Sequence, residues 1–158
     1  MRSNRILLLA AALAVLFSAC AKEEAAAPAQ AVDPALAAND AEASARSIEE
    51  RMAAGEKLYA AHCAACHQAN GQGLTSAFPP LAGSDYLADG GPAAVIKVVL
   101  NGLTGPITVN GKEFNSVMPN LSYLSDSDVA DIVTFVFNSW GNPGGEVSAA
   151  DVAAARGR

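Results

Sequence analysis

The sequence is poor in aromatic side chains, histidine and cysteine, and it has neither a basic run nor an apolar run long enough to span a bilayer. Each shortage excludes something. Aromatic residues make up only 6% of the 158 residues, and alanine carries much of the 51% hydrophobic content, so a core built from side chains alone would be modest. A buried group that is not a side chain would supply the missing apolar volume. Without a basic run there is no electrostatic footprint for nucleic acid. The net charge is −6, and its acidic residues are scattered as on a solvated surface. The apolar run Ile6 to Phe17 has 12 residues, short of the roughly 20 that a spanning helix needs. There are three cysteines, Cys20, Cys63 and Cys66, and in an exported chain an odd count leaves one thiol to be accounted for.

Two of those cysteines carry the most specific pattern in the chain, Cys63-Ala64-Ala65-Cys66-His67. Two cysteines separated by two residues and followed at once by histidine form the attachment signature of c-type haem. Each thiol can add to a haem vinyl group, and the histidine is held where an imidazole nitrogen can ligate iron axially. A redox disulfide is the other reading of such a pair. It belongs after a strand in an α/β pattern, and no such pattern precedes Cys63.

The amino-terminal segment reads as an export signal. Met1 to Arg5 carries two arginines, Ile6 to Phe17 is the apolar stretch, and small residues follow at Ser18 and Ala19. Leu16-Phe17-Ser18-Ala19-Cys20 resembles a bacterial lipobox, with Phe17 where that motif most often has leucine. Residues 1–19 are then a lipoprotein signal peptide and Cys20 is the lipidated first residue. The alternative is ordinary cleavage near Ala19 or Ala21, which leaves an exposed thiol open to oxidation. Cleavage before Cys20 removes Arg2 and Arg5, so ten basic residues fall to eight against 16 acidic ones, a net charge of −8. Two or more acyl chains would anchor the protein firmly in a membrane. From Ala21 to about Ser47 the chain is alanine-rich with Pro28 and Pro34 and shows no amphipathic period, as expected of a flexible tether.

The folded domain is expected over residues 48–141. Ser47 and Glu50 have the spacing of a capping box and open a helix that carries Met52, Gly55, Leu58 and Tyr59 towards the haem motif. Glycine inside that helix makes sense where another helix crosses closely. Phe78-Pro79-Pro80-Leu81 reads as a stiff extended segment. Its carbonyls are free to accept the second ring N–H of a ligating histidine, and Leu81 would pack on the haem edge. Pro92 to Leu100 reads as a short amphipathic helix closed by Gly102 and Gly105. Ile107 to Phe114, with Asn110-Gly111 at its centre, is a β-hairpin signal.

Met118 follows in Val117-Met118-Pro119, in a loop 51 residues after His67. Its thioether is a soft ligand that raises a haem potential. The other histidine, His62, adjoins Cys63 and is read as solvent-facing, which disfavours bis-histidine ligation. Ser125 with Asp126 and Asp128 opens a further helix, and Phe135 on it would cross the first helix at Gly55 and Tyr59. Trp140 and Tyr123 would line the haem pocket or fill core. Residues 142–158 form a tail with one short helix around Ala149 to Ala155.

Together Gly55, Tyr59, the Cys63 to His67 motif, Phe78 to Leu81, Val117 to Pro119, Ile132 and Phe135 resemble the class I cytochrome c family. Gly71-Gln72-Gly73, Phe78 to Ser84, Val109-Asn110-Gly111 and Ser139 to Asn142 are similar to one subgroup. These are mono-haem domains associated with copper nitrite reductases, alcohol dehydrogenase cytochrome subunits and terminal oxidases. No cupredoxin sequence is present, so the chain is not the reductase itself.

The resemblance implies a mainly α fold around one covalent haem c, with a small β-hairpin before the methionine loop. It implies thioethers at Cys63 and Cys66, His67 and Met118 as axial iron ligands, and Pro79, Leu81 and Trp140 around the cofactor. It also implies a one-electron carrier rather than an enzyme. That carrier would be tethered by lipid in the bacterial cell envelope, with its haem domain in the periplasm. Its partners would be redox proteins with basic docking patches, with no nucleic acid and no small-molecule substrate. A gas sensor or peroxidase-like enzyme would instead need an open sixth position, and a stably bound subunit of an oxidase or dehydrogenase would use the same domain.

Overall fold

A computed structural model of the chain describes residues 46–157. The signal peptide, Cys20 and the tether up to residue 45 lie outside the described residues. Seven elements follow in order. Helix α1 (Ile48–His62) leads into the single turn α2 (Ala64–His67), and α3 (Asp85–Asn101) comes next. Strands β1 (Ile107–Val109) and β2 (Lys112–Phe114) pair antiparallel, and helices α4 (Asp126–Phe137) and α5 (Ala149–Ala155) complete the chain. The mainly helical architecture with one small hairpin is the one expected.

Helix α1 starts where the capping box placed it. The Glu50 amide donates to Ser47 Oγ at 3.2 Å, and the Ser47 amide donates back to Glu50 Oε2 at 2.9 Å. Gly55 faces α4, and a Cβ there would overlap the Asp131 carbonyl oxygen and come within 2.7 Å of Phe135 Cβ. Only the residue without a side chain allows the two helix backbones this close. The hairpin turns through Asn110 and Gly111, with φ of 50° and 72°, as a two-residue turn matched to strand twist requires.

Helix α3 begins earlier than expected. The sequence pattern opens it at Pro92, but the helical backbone already starts at Asp85 and is interrupted at Gly91, where φ is 65° and ψ is 179°. Pro92 is thus the first residue of a second helical segment, a position where its missing N–H costs nothing. The preceding turns are held by Leu87, which is 2% exposed.

The region after residue 141 is not an appendage. Val147 and Val152 are buried, and both belong to the same hydrophobic core as Tyr59, Ile96, Leu121 and Val133. Helix α5 lies against α4 and α3. The tether likewise gives way to ordered chain before its expected end, because Arg46 already reaches Asp131 at 2.6 Å.

Helix α4 is the central element, and its period divides it into two opposite stripes. Ile132, Val133 and Val136 face a cleft described below. Asp131 and Thr134 face Arg51, whose Nε lies 3.1 Å from Asp131 Oδ1 and whose Nη2 lies 3.2 Å from Thr134 Oγ1. Arg51 also donates to Glu146 Oε1 at 2.6 Å and to the Val147 carbonyl. This junction therefore ties α1, α4 and the segment leading to α5 together through a buried guanidinium that makes four hydrogen bonds.

Candidate haem site

The site is built from one turn of helix, one extended segment and one loop. Cys63 caps α1, its N–H bonded to the Tyr59 carbonyl, and the next turn brings Cys66 and His67 back onto Cys63. The His67 amide donates to the Cys63 carbonyl at 2.9 Å. The backbone then reverses at Gln68, whose φ is 62°. Tyr59 fixes that reversal by donating its hydroxyl to the Gln68 carbonyl at 2.7 Å. Burial, with the neighbouring Cys63 thiol second, pushes the Tyr59 hydroxyl up from its ordinary range, so it stays a donor.

His67 is 9% exposed. Its Nδ1 lies 3.0 Å from the Pro79 carbonyl oxygen. A carbonyl only accepts, so Nδ1 carries the proton and Nε2 keeps its lone pair. Burial holds the imidazole below its usual pKa, opposed in part by that hydrogen bond. The neutral form, the one that binds metals, is therefore favoured. Cys63 and Cys66 form no disulfide with each other. Burial, and secondarily the neighbouring Cys66, pushes the Cys63 thiol up to about 11, so it is protonated at neutral pH.

Two adjoining cavities share Cys63, His67, Pro79, Leu103, Ile107 and Met118 as walls and form one cleft. The first also takes in Phe78, Phe114 and Val117; the second takes in Leu81, Leu87, Val99 and the α4 stripe. No Asp, Glu, Lys or Arg lines either part. The donor set is one imidazole, one thioether and two thiols in apolar surroundings. That fits a flat apolar macrocycle with a soft iron centre and does not fit a hydrated cation, which would require oxygen ligands.

Met118 is placed by the chain around it. Its N–H donates to the Leu103 carbonyl at 2.9 Å, and the Leu103 N–H donates back at 3.0 Å, an isolated antiparallel bridge. Ser116 Oγ donates to the Ala77 carbonyl at 2.6 Å and ties the methionine loop to the segment before Pro79.

His67, Pro79, Leu81, Met118, Cys63 and Cys66 thus surround one cleft. Trp140 does not belong with them. It packs on Tyr59 and Phe135, with ring centroids 5.1 and 5.4 Å away, and its ring covers Gly71. The positive φ of 53° at Trp140 turns its side chain back onto α1 instead of into the cleft. Tyr123 is 70% exposed, so it neither fills core nor lines the cleft. His62 is half-buried at the cleft rim, with its ring edge-on to Tyr123 at 6.1 Å, rather than fully solvent-facing. Sequence reasoning assigned no role to Leu103, Ser116 or the Tyr59 hydroxyl. Leu103 and Ser116 act through backbone partners distant in sequence, for which no local signal exists.

Comparison with known proteins agrees with this geometry. The family described as Cytochrome c matches residues 52–140. Cytochrome c-552 of Thermus thermophilus is 45% identical over 91 residues, covering 56% of this chain and 69% of that protein. The cytochrome c subunit of the alcohol dehydrogenase (quinone) of Gluconobacter oxydans is 39% identical over 101 residues, 63% of this chain. The gluconate 2-dehydrogenase cytochrome c subunit of Pantoea cypripedii is 38% identical over 105 residues, 65% of this chain. The matches span only 21% and 24% of those two subunits. With a match over more than half its length, the chain belongs to the cytochrome c family, electron-transfer proteins that carry covalently attached haem c.

Proposed function

We propose that this cytochrome is a membrane-tethered one-electron carrier of the bacterial periplasm, with a single haem c ligated by His67 and Met118. The supporting observation is the shared cleft, where a buried neutral imidazole with its Nδ1 proton on Pro79 and a thioether held by the Leu103 bridge line the same apolar walls. Cys63 and Cys66 would hold the group covalently, and Leu81 would pack against it. When bound, haem c supplies an iron that alternates between Fe(III) and Fe(II). The residues around it do the rest. His67 and Met118 would together hold the iron, which would leave no position for a substrate. Pro79 keeps the imidazole in one tautomer, and the apolar walls limit water around the metal.

A spectrum of the purified protein tests this. Low-spin iron with a methionine-to-iron charge-transfer band is expected, with the band abolished by Met118→Ala. High-spin iron that binds carbon monoxide readily in the wild type would instead point to a sensor or peroxidase-like protein.

Relatives named as dehydrogenase cytochrome subunits support a partner among respiratory oxidoreductases. A copper nitrite reductase or a terminal oxidase, giving or taking the electron, is the partner class suggested by the subgroup motifs. The net charge of −8 expected after cleavage before Cys20 favours partners with basic docking patches. Turnover with the physiological partner should then slow as salt rises, and salt independence would remove electrostatic docking. The lipid anchor at Cys20 is read directly by mass spectrometry of the mature amino terminus, where an unmodified Ala21 or Cys20 would exclude it.

A further inference from the structure

The carboxy-terminal helix ends in a side chain that reaches the methionine loop. Arg156 sits at the C-cap of α5. Its Nη1 donates to the Ser122 carbonyl at 2.7 Å, its Nη2 to the Leu124 carbonyl at 2.6 Å, and its Nε to Asp126 Oδ1 at 2.7 Å. Asp126 is 5% exposed, in the first turn of α4. The two carbonyls belong to the loop between Met118 and the Ser125 cap, a stretch with no helical or sheet partners for its oxygens. A planar guanidinium donating through three nitrogens in fixed directions sets the path of that loop in a way an ammonium cannot.

Three other contacts attach the loop, one of them between the exposed Tyr123 hydroxyl and His62 Nδ1 at 3.4 Å. Met118 bridges Leu103, and the Leu121 N–H donates to the Val99 carbonyl at 2.9 Å. Arg156 adds a fork of three hydrogen bonds, two of them to the loop's own carbonyls. Its own position is set by burial of Val147 and Val152 and by the Ser148–Asp151 capping box that starts α5. Both α5 and Arg156 lie beyond residue 140, where the family match ends.

We propose that α5 is a clamp and that Arg156 is a positioning residue for Met118, keeping the thioether on the iron by fixing the loop that follows it. This rests on the reading of Met118 as the second axial ligand. Release of the loop would raise the fraction of molecules whose sixth position is open, and an added ligand binds only that fraction. The apparent affinity of the ferric protein for imidazole therefore reports the clamp directly.

The test uses the full-length haem-loaded protein. Arg156→Ala should raise imidazole affinity about tenfold over wild type, weaken the methionine-to-iron band, and speed amide hydrogen exchange across residues 119–125. Arg156→Lys keeps the charge beside Asp126 without the fork. It should show the same changes to a smaller degree, and it carries the test if the alanine variant does not accumulate. Glu146→Gln removes an ion pair at the other end of the tail and should leave imidazole affinity unchanged. A wild-type band together with unaltered imidazole affinity in both Arg156 variants overturns the clamp alone. An equal rise in Glu146→Gln overturns the specific role of Arg156. Absence of the band in the wild type overturns the ligand assignment and the clamp together.

Discussion

The two faces of α4 solve opposite problems. On one, Ile132, Val133 and Val136 border an apolar cleft that also takes in His67, Cys63 and Cys66. On the other, Asp131 and Thr134 meet Arg51 in a junction whose charges and donors are paired among themselves. The junction is complete as protein. The cleft, with an imidazole, a thioether and two cysteine sulfurs among apolar walls, fits the haem c that the family carries. The cleft is therefore flanked, across α4, by a junction whose residues take no part in its lining.

The largest test of that division is Asp131→Ala. It removes the buried one of the two carboxylates paired with the Arg51 guanidinium and leaves only the exposed Glu146, and loss of a buried partner costs up to about 3–5 kcal/mol. Arg46, also bonded to Asp131, loses that partner as well. Denaturant or thermal unfolding of the haem-loaded protein should show a loss of this size. The methionine-to-iron band of the molecules still folded should be unchanged, since Asp131 faces away from the cleft. A band that disappears with Asp131 while the protein remains folded would show that the two faces are coupled and would break the comparison.

How much of this was legible in the sequence follows from the range of each interaction. The capping box at Ser47, the hairpin at Asn110-Gly111 and the helix at Ala149–Ala155 are local. Their partners lie within a few residues, and the pattern shows them. Gly55 was legible as a crossing point because glycine inside a helix has few other reasons to be there. Arg51 and Asp131 are 80 residues apart, and Arg156 and Ser122 are 34 apart. Nothing in a single sequence pairs them, so the tail read as an appendage. For Trp140, lining the haem pocket and filling core are equally open in the sequence, and the packing on Phe135 and the sequence-distant Tyr59 that favours core has no local signal. In the cleft, the Cys63 to His67 motif carries its own chemistry, whereas the Leu103 bridge that holds Met118 is made by backbone atoms that any residue could supply.

The smallest expected effect lies at the start of the clamp helix. Ser148 donates through both its hydroxyl and its amide to Asp151, at 2.7 and 2.8 Å, and holds that carboxyl below its usual pKa. A carboxyl whose folded pKa is depressed stabilises the fold above its unfolded value of 3.8, and that contribution fades as pH falls through the lower folded value. Asp151 is exposed, so the effect is confined to the first turn of α5 and does not reach global stability. In the reduced, diamagnetic protein, chemical shifts across residues 149–155 should move towards unfolded values below about pH 4. Asp151→Asn should already show part of that shift at neutral pH and lose its acid dependence. The Arg51 junction should hold over the same range if the two regions are energetically separate. Its shifts moving in step with α5 would mean that the tail and the junction unfold as one unit, with the clamp no longer a local device.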